Sequence, residues 1–150
     1  MRLKAAELLA LCGGSLIYGS GENIADHICI DSRKADRGSL FVPIIGERVD
    51  AHAFLKDVAA GGASCILSSR HGSEEELRRD EELYEELQKR GESVSVISVK
   101  DTVGALQALA AGYRRKHISS VPVVGITGSV GKTTTREMTA CALSCEKRVF

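Results

Sequence analysis

A glycine loop that ends in Lys132-Thr133 contains the residues of this chain that are best suited to chemistry. Gly128 and Gly131 allow the backbone to turn tightly, so that successive N–H groups can point at an anion. Lys132 would reach the β- and γ-phosphates of a nucleoside triphosphate, and the Thr133 hydroxyl would bind Mg²⁺. Lys132 is therefore predicted to be catalytic and Thr133 to be a metal ligand. The complete set predicted to bind ATP phosphates is Thr127, Gly128, Ser129, Val130, Gly131, Lys132, Thr133 and Thr134.

The segments on either side of the loop are predicted to position it. Residues 121–127 are mostly apolar and β-branched, which is typical of a strand buried on both faces of a parallel sheet. A helix from about Thr133 would add unpaired amides and the positive end of its dipole. The usual P-loop pattern has glycine where this chain has Ile126, and Gly125 lies one residue earlier, so the loop is a compact variant. The alternative is an ordinary strand–turn–helix in which the lysine occurs by chance.

Composition limits the other classes of function. The chain has 20 Lys+Arg and 20 Asp+Glu in 150 residues, so no net charge points to nucleic acid or an anionic membrane as a partner. No segment is long enough to span a bilayer, and Glu7 interrupts the apolar N-terminal stretch, which favours an amphipathic helix over a signal peptide. Five cysteines without C-x-x-C spacing suit a reduced, cytoplasmic protein.

Short apolar runs alternate with helical patterns through the first hundred residues, which predicts an α/β fold. Asp50 can cap a helix over residues 51–60, with Phe54, Leu55 and Val58 on its buried side, and Asp101 can cap a helix that reaches His117. The other predicted elements are one helix over residues 4–12 and five strands, over residues 15–18, 27–30, 40–44, 63–67 and 94–99.

A strongly charged segment, residues 73–91, interrupts this pattern. Ser73 and Glu76 would form a capping box, and four acid–base pairs have favourable (i, i+4) spacing: Glu74–Arg78, Glu75–Arg79, Glu85–Lys89 and Glu86–Arg90. The segment is predicted to be a solvated helical insertion with one thin apolar seam, formed by Leu77, Leu83, Tyr84 and Leu87. The alternative is a partner-binding helix.

The last helix would place Cys141 and Cys145 on the same face. Because Met138 and Ala142 share that face, a packed core stripe is predicted rather than a pair of metal ligands.

A second block of motifs lies ahead of the charged segment. It consists of Asp-Ser-Arg-Lys at 31–34, Gly-Ser-Leu-Phe-Val at 38–42, Gly-Glu-Arg-Val-Asp-Ala-His at 46–52 and Gly-Ala at 62–63. In this order, followed by Thr-Gly-Ser-Val-Gly-Lys-Thr-Thr-Thr-Arg-Glu-Met, it resembles the N-terminal part of the Mur ligases. The charged helix departs from that family, which usually joins these segments more briefly.

The resemblance implies a fold and a domain organisation. Residues 1–100 would form a small mixed α/β domain that binds the UDP-muramoyl peptide, and residues 101–150 would begin a central P-loop domain with a parallel sheet. The residues implied at the UDP subsite are Ser32, Arg33, Glu47, Arg48 and Val49. Arginine forks suit pyrophosphate. The alternative is that residues 31–33 merely cap a turn and that Arg48 is a solvated charge.

The implied activity is ATP-dependent peptide-bond formation in peptidoglycan precursor synthesis. The enzyme would use ATP and Mg²⁺ to add D-alanyl-D-alanine to UDP-N-acetylmuramoyl-tripeptide through an acyl phosphate, as a monomer. Residues 1–150 alone are expected to be inactive, because the other metal ligands and the adenine pocket would lie beyond Phe150. The alternatives are a sister ligase that adds the third amino acid (diaminopimelate or lysine) and a non-catalytic UDP-sugar-binding module. A folate polyglutamate ligase is disfavoured by the Asp-Ser-Arg block.

Overall fold

The computed structural model describes residues 1–47, 49–69, 74–91 and 93–149, with the backbone alone at residues 74–80 and 90. It divides the chain into two compact units, Met1–His117 and Ile118–Phe150.

A five-stranded sheet forms the centre of the first unit. The strands of this unit are β1 (Leu3–Lys4), β2 (Ser15–Tyr18), β3 (Ile24–Ala25), β4 (His27–Cys29), β5 (Ser39–Phe41), β6 (Cys65–Ser68) and β7 (Ser95–Ser98). The sheet has the order β2-β7-β6-β5-β4, and β1 pairs separately with β3. Strands β4 to β7 are parallel, and β2 runs antiparallel along β7.

Helices cover both faces of this sheet. They are α1 (Ala5–Cys12), α2 (Leu55–Ala60), α3 (Glu74–Arg90) and α4 (Thr102–His117), with 3₁₀ turns at Ser32–Lys34 and Ala51–Phe54. Because side chains alternate along a strand, β5 directs Leu40 to one core and Phe41 to the other. The first core joins the sheet to α1 and α4, and the second joins it to α2 and α3. The predicted α/β class is confirmed, and the two covered faces explain why β5, β6 and β7 each contain consecutive buried apolar residues.

Both predicted aspartate caps are present. Asp50 Oδ1 accepts a hydrogen bond from the His52 amide at 2.9 Å, and Asp101 accepts from the amides of Val103 and Gly104 at 3.1 and 2.7 Å. The prediction that Phe54 is buried was wrong, since it is 37% exposed. The segment starts as a 3₁₀ turn rather than an α-helix, and the tighter winding shifts side chains around the axis.

The charged helix α3 is attached to the first unit by the predicted apolar seam. Leu83 and Leu87 are buried in the second core, and the Tyr84 ring stacks on Tyr18 with the ring centroids 5.5 Å apart. The predicted Glu85–Lys89 pair is present at 3.5 Å. The predicted capping box at Ser73 and Glu76 lies outside the described residues, and so does the side chain of Leu77. The same holds for the three other predicted ion pairs, because each includes at least one side chain that is not described: Glu74–Arg78, Glu75–Arg79 and Glu86–Arg90.

Helix α4 belongs to the first compact unit, which ends at His117, whereas the motif pattern predicts a domain boundary near residue 100. Ala105 and Leu109 enter the first core, which also contains Leu8 of α1. At Gly112 an added Cβ would lie 2.5 Å from a methyl carbon of Leu11, so glycine permits the close approach of the two helices. This apolar packing attaches α4 to the first unit.

The second unit contains one helix, α5 (Lys132–Ser144), within its described residues. The predicted strand over residues 121–127 is not formed there, and these residues are largely exposed. A strand in a sheet is defined by hydrogen bonds to a neighbouring strand, and no described residue pairs with this segment.

The predicted core stripe on α5 is also not formed. Met138 is 69% exposed, and Cys141 and Cys145 are exposed free thiols. Within the described residues, no cluster of His, Cys, Asp and Glu could hold a metal ion. Among all the residues that the structure describes, no helix is both long enough and apolar enough to cross a membrane.

Candidate active site

The loop before α5 has the backbone geometry that the two glycines predict. Gly128 has φ 153° and Gly131 has φ 81° and ψ 0°, both in the region that side chains disfavour. The Thr135 amide donates to the Gly131 carbonyl at 2.9 Å. The three amides between them begin the helix and have no partner in a preceding turn. The loop therefore offers exposed N–H groups at the positive end of a helix dipole.

An open hollow of about 330 Å³ lies beside this loop. Its lining brings together the predicted Lys132 and Thr133 with Arg136, Val124 and Ile126. Arg136 was missed by the sequence analysis, although it follows Lys132 by one helical turn and could have been placed on the same face. The hollow thus combines two cations, a hydroxyl and helix amides.

The Lys132 ammonium folds back over the loop. Its Nζ donates to the Gly128 carbonyl oxygen and, at 3.4 Å, to that of Ser129. Val130 has an apolar side chain that is 90% exposed, so it can offer a bound phosphate only its backbone. Thr127 and Thr134 are also exposed. This donor set fits a polyphosphate, and the Thr133 hydroxyl is a hard oxygen ligand of the type that Mg²⁺ prefers.

A second candidate region lies at the carboxyl ends of the parallel strands in the first unit. Since β4, β5 and β6 run parallel, the segments that follow them meet at one edge of the sheet. These segments contain Asp31–Arg33, the turn at residues 44–51 and Ser69. In open α/β sheets, ligands bind at this edge.

The first segment is a 3₁₀ turn capped by Asp31. The Arg33 side chain donates twice to this carboxylate, from Nε at 2.9 Å and from Nη2 at 2.8 Å, and the Arg33 amide donates at 3.2 Å. The hydrogen bonds from the Arg33 side chain are the main reason that the pKa of Asp31 falls from 3.8 to about 2. The turn-capping alternative is therefore present in the structure. Arg33 nonetheless stays 86% exposed, and Ser32 is half-buried.

The second segment is a hairpin. Ile45 and Asp50 form an antiparallel bridge, the Gly46 amide donates to the Val49 carbonyl at 3.0 Å, and the Ala51 amide donates to the Ile44 carbonyl at 3.2 Å. Glu47 and Val49 are exposed on this hairpin. The predicted Arg48 lies outside the described residues.

A buried histidine lies at the base of the hairpin, and the sequence analysis missed it. His52 is 1% exposed, and its Nδ1 lies 2.6 Å from Asp50 Oδ1. On the other side of the ring, Nε2 accepts from the Ser69 amide at 3.1 Å and lies 3.2 Å from Ser69 Oγ. The Asp-x-His spacing and a serine two residues after the predicted strand at 63–67 were the available signals.

Comparison with known proteins shows the family of this chain. The model of the Mur ligase family, catalytic domain, matches residues 25–114. The UDP-N-acetylmuramoyl-tripeptide--D-alanyl-D-alanine ligase of Synechocystis is 35% identical over 119 residues, which are 79% of this chain and 22% of that protein. The UDP-N-acetylmuramoyl-L-alanyl-D-glutamate--2,6-diaminopimelate ligase of Cytophaga hutchinsonii is 36% identical over 123 residues, 81% of this chain and 22% of that protein.

A solved structure is similar to this chain. The MurF ligase of Thermotoga maritima in complex with ADP aligns with a TM-score of 0.62 and 28% identity, covering 83% of this chain and 24% of that chain.

The chain spans about a fifth of the length of the curated relatives it matches. The residues matched by the family model make up more than half of the 150 residues of this chain. With the motif blocks, the three-layer α/β unit and the glycine loop in the same order, the chain belongs to the Mur ligase family.

Proposed function

We propose that this protein is an ATP-dependent ligase that joins D-alanyl-D-alanine to UDP-N-acetylmuramoyl-tripeptide. The observation that carries this proposal is the hollow that gathers Lys132 and Thr133 at the start of α5, in a chain of this family. The Synechocystis relative is named for this reaction, and the Thermotoga neighbour was solved with ADP.

The loop is proposed to bind the triphosphate of ATP. Its exposed amides and the Lys132 ammonium would stabilise the charge on the transferring phosphoryl group. On binding, Lys132 would exchange the carbonyls of Gly128 and Ser129 for phosphate oxygens, which are stronger acceptors because they are charged. Arg136, in the same hollow, would add a second cation. Thr133 would hold Mg²⁺, which supplies charge neutralisation between the phosphates.

The carboxyl edge of the first unit is proposed to bind the UDP end of the substrate. Ser32 and Arg33 lie on the turn after β4, and Glu47 and Val49 lie on the hairpin after β5. Arg48 is proposed to join them, as the resemblance implies. Two turns at the same sheet edge, both carrying exposed polar groups, support this assignment.

The domain assignment follows from these two proposals. Met1–His117 would be the UDP-substrate domain, and Ile118–Phe150 would contribute the phosphate loop of the ATPase domain. Five free cysteines and the UDP-linked substrate are consistent with a cytoplasmic enzyme. We expect the full-length product to be a monomer.

The proposed reaction proceeds in two transfers. A carboxylate oxygen of the tripeptide attacks the γ-phosphorus of ATP, giving an acyl phosphate and ADP. The amine of D-alanyl-D-alanine then attacks the acyl carbon, the C–O bond to phosphate breaks, and the amine loses a proton as the peptide bond forms. Lys132 serves the first transfer, in which charge develops on the phosphoryl oxygens.

The test is ADP release by the full-length gene product with UDP-N-acetylmuramoyl-tripeptide, in the presence and absence of D-alanyl-D-alanine. We expect dipeptide-dependent turnover that is lost in Lys132→Ala. Binding of the UDP substrate without ATP turnover would identify a non-catalytic binding module instead.

A second candidate is the sister ligase that adds the third amino acid. The Cytophaga relative, named for diaminopimelate, is as similar as the Synechocystis protein, at 36% against 35% identity. The same assay separates the two, because the sister ligase would turn over only with UDP-muramoyl-dipeptide and a diamino acid.

A further inference from the structure

We propose that His52 is a positioning residue for the UDP subsite, and that it acts by tying the hairpin at residues 44–51 to the end of β6. This inference rests on the proposed function of that hairpin. His52 itself is buried and has no access to substrate.

The hairpin needs such an anchor because it is short and exposed. The two backbone hydrogen bonds of the Ile45–Asp50 bridge hold it together, and isolated two-stranded hairpins are marginally stable in water. Glu47 and Val49 would therefore sample many orientations if the base of the hairpin were free. On the segment that enters the hairpin, the buried Thr102 hydroxyl donates to the Pro43 carbonyl at 2.6 Å. In the 3₁₀ turn that follows the hairpin, the anchor is His52.

The two ring nitrogens of His52 perform different tasks. The Ser69 amide can only donate, so Nε2 must be the acceptor in that 3.1 Å hydrogen bond. This tautomer leaves the proton on Nδ1, which donates to Asp50 Oδ1 at 2.6 Å. A neutral imidazole places a donor and an acceptor on opposite sides of one rigid ring. One buried side chain thus connects the last residue of the hairpin bridge to the residue that follows β6.

The arrangement has the composition of a Ser–His–Asp triad, but its geometry does not suit nucleophilic catalysis. The lone pair of Nε2 already accepts a hydrogen bond from the Ser69 amide. It is therefore poorly placed to take the proton of the Ser69 hydroxyl. The ring is also sealed from solvent. These contacts exclude a catalytic role for His52 and indicate that it holds the hairpin in place.

The experiment compares His52→Ala with Ser95→Ala in the full-length gene product. Ser95 is a matched control, because its hydroxyl is fully buried and donates to the Ser20 carbonyl, but it lies at the opposite, amino-terminal end of β7. We expect His52→Ala to raise the KM for UDP-muramoyl-tripeptide by about 10- to 100-fold, since small misplacements of binding groups have effects of this size. The KM for ATP should not change, and Ser95→Ala should leave both values unchanged.

Hydrogen exchange provides a readout that needs no substrate. The amides of Gly46 and Ala51, both bonded within the hairpin, should exchange faster in His52→Ala and at the normal rate in Ser95→Ala. Asp50→Ala should resemble His52→Ala. Asp50→Asn retains an oxygen acceptor for Nδ1 and should recover most of the lost affinity.

Three results would overturn the inference. They are unchanged exchange at Gly46 and Ala51 in His52→Ala, faster exchange with an unchanged KM for the UDP substrate, and an equal rise in that KM in Ser95→Ala. A wild-type protein that binds no UDP-muramoyl peptide would instead refute the proposed function, and with it the subsite role. The exchange data would then still report whether His52 anchors the hairpin.

Discussion

The two candidate regions are built in opposite ways. The glycine loop before α5 uses residues that lie within a few positions of one another, and its side chains are exposed. The carboxyl edge depends on contacts between distant residues: His52 bonds Ser69 17 positions away, and Thr102 bonds Pro43 59 positions away. A loop formed by local turns can tolerate change in the distant core, whereas an edge formed by a sheet cannot.

The comparison predicts that chemistry and stability separate between the two units. Changes in the loop should alter nucleotide use with little effect on folding, and changes in the sheet should alter folding first. Four substitutions test this, in order of decreasing expected effect.

The largest effect is expected from Lys132→Ala. Removing the ammonium should lower kcat by about 10³-fold, because a charged group that stabilises a transferring phosphoryl is worth this much or more. The free energy of unfolding should not change, since the side chain is exposed. The measurement is ADP release together with urea denaturation. Lys147→Ala, an exposed cation on the same unit, is the control and should retain full turnover.

Leu67→Ala tests the sheet. Leu67 is fully buried in the first core, so its truncation should lower the free energy of unfolding by about 3 kcal/mol. Met138→Ala, at an exposed apolar residue of α5, should have almost no effect. Urea denaturation measures both. Equal losses in the two variants would contradict the separation of the units.

Gly131→Ala tests the backbone of the loop. No atom lies within 4 Å of an added Cβ, so the only cost is the left-handed conformation at φ 81°, about 1–2 kcal/mol. This should weaken ATP binding by about tenfold, as measured by calorimetry. Gly125→Ala is the matched control, because its added Cβ also meets no atom and its φ is not positive, and it should bind ATP normally.

Asp31→Asn should have the smallest effect. The folded-state pKa of about 2 lies below the usual 3.8, so the carboxylate stabilises the fold fully above the usual value. This contribution is lost as the pH falls through about 2. The variant should therefore lack that part of the acid-induced loss of stability. A pKa near 3.8 measured for Asp31 by NMR would contradict the observed pairing with Arg33.

Local patterns predicted local structure well. The caps at Asp50 and Asp101, the left-handed glycines of the loop and the apolar seam of α3 each depend on residues within a few positions, and each is present. The same reasoning failed at residues 121–127 and on the face of α5 that contains Met138. At both places the apolar pattern indicates that another surface must cover these side chains, but the pattern does not identify that surface.

The family, the α/β class and the tight glycine loop before α5 could be recognised from the sequence, because these follow from residue types at short, fixed spacings. Three features emerge only from the packing of the folded chain: α4 belongs to the first unit, Arg136 lines the hollow, and His52 connects the hairpin to β6. The physical reason is that parallel strands join at one edge segments that are far apart in the chain. Which side chains meet there depends on the register and packing of the sheet, and no local pattern encodes these.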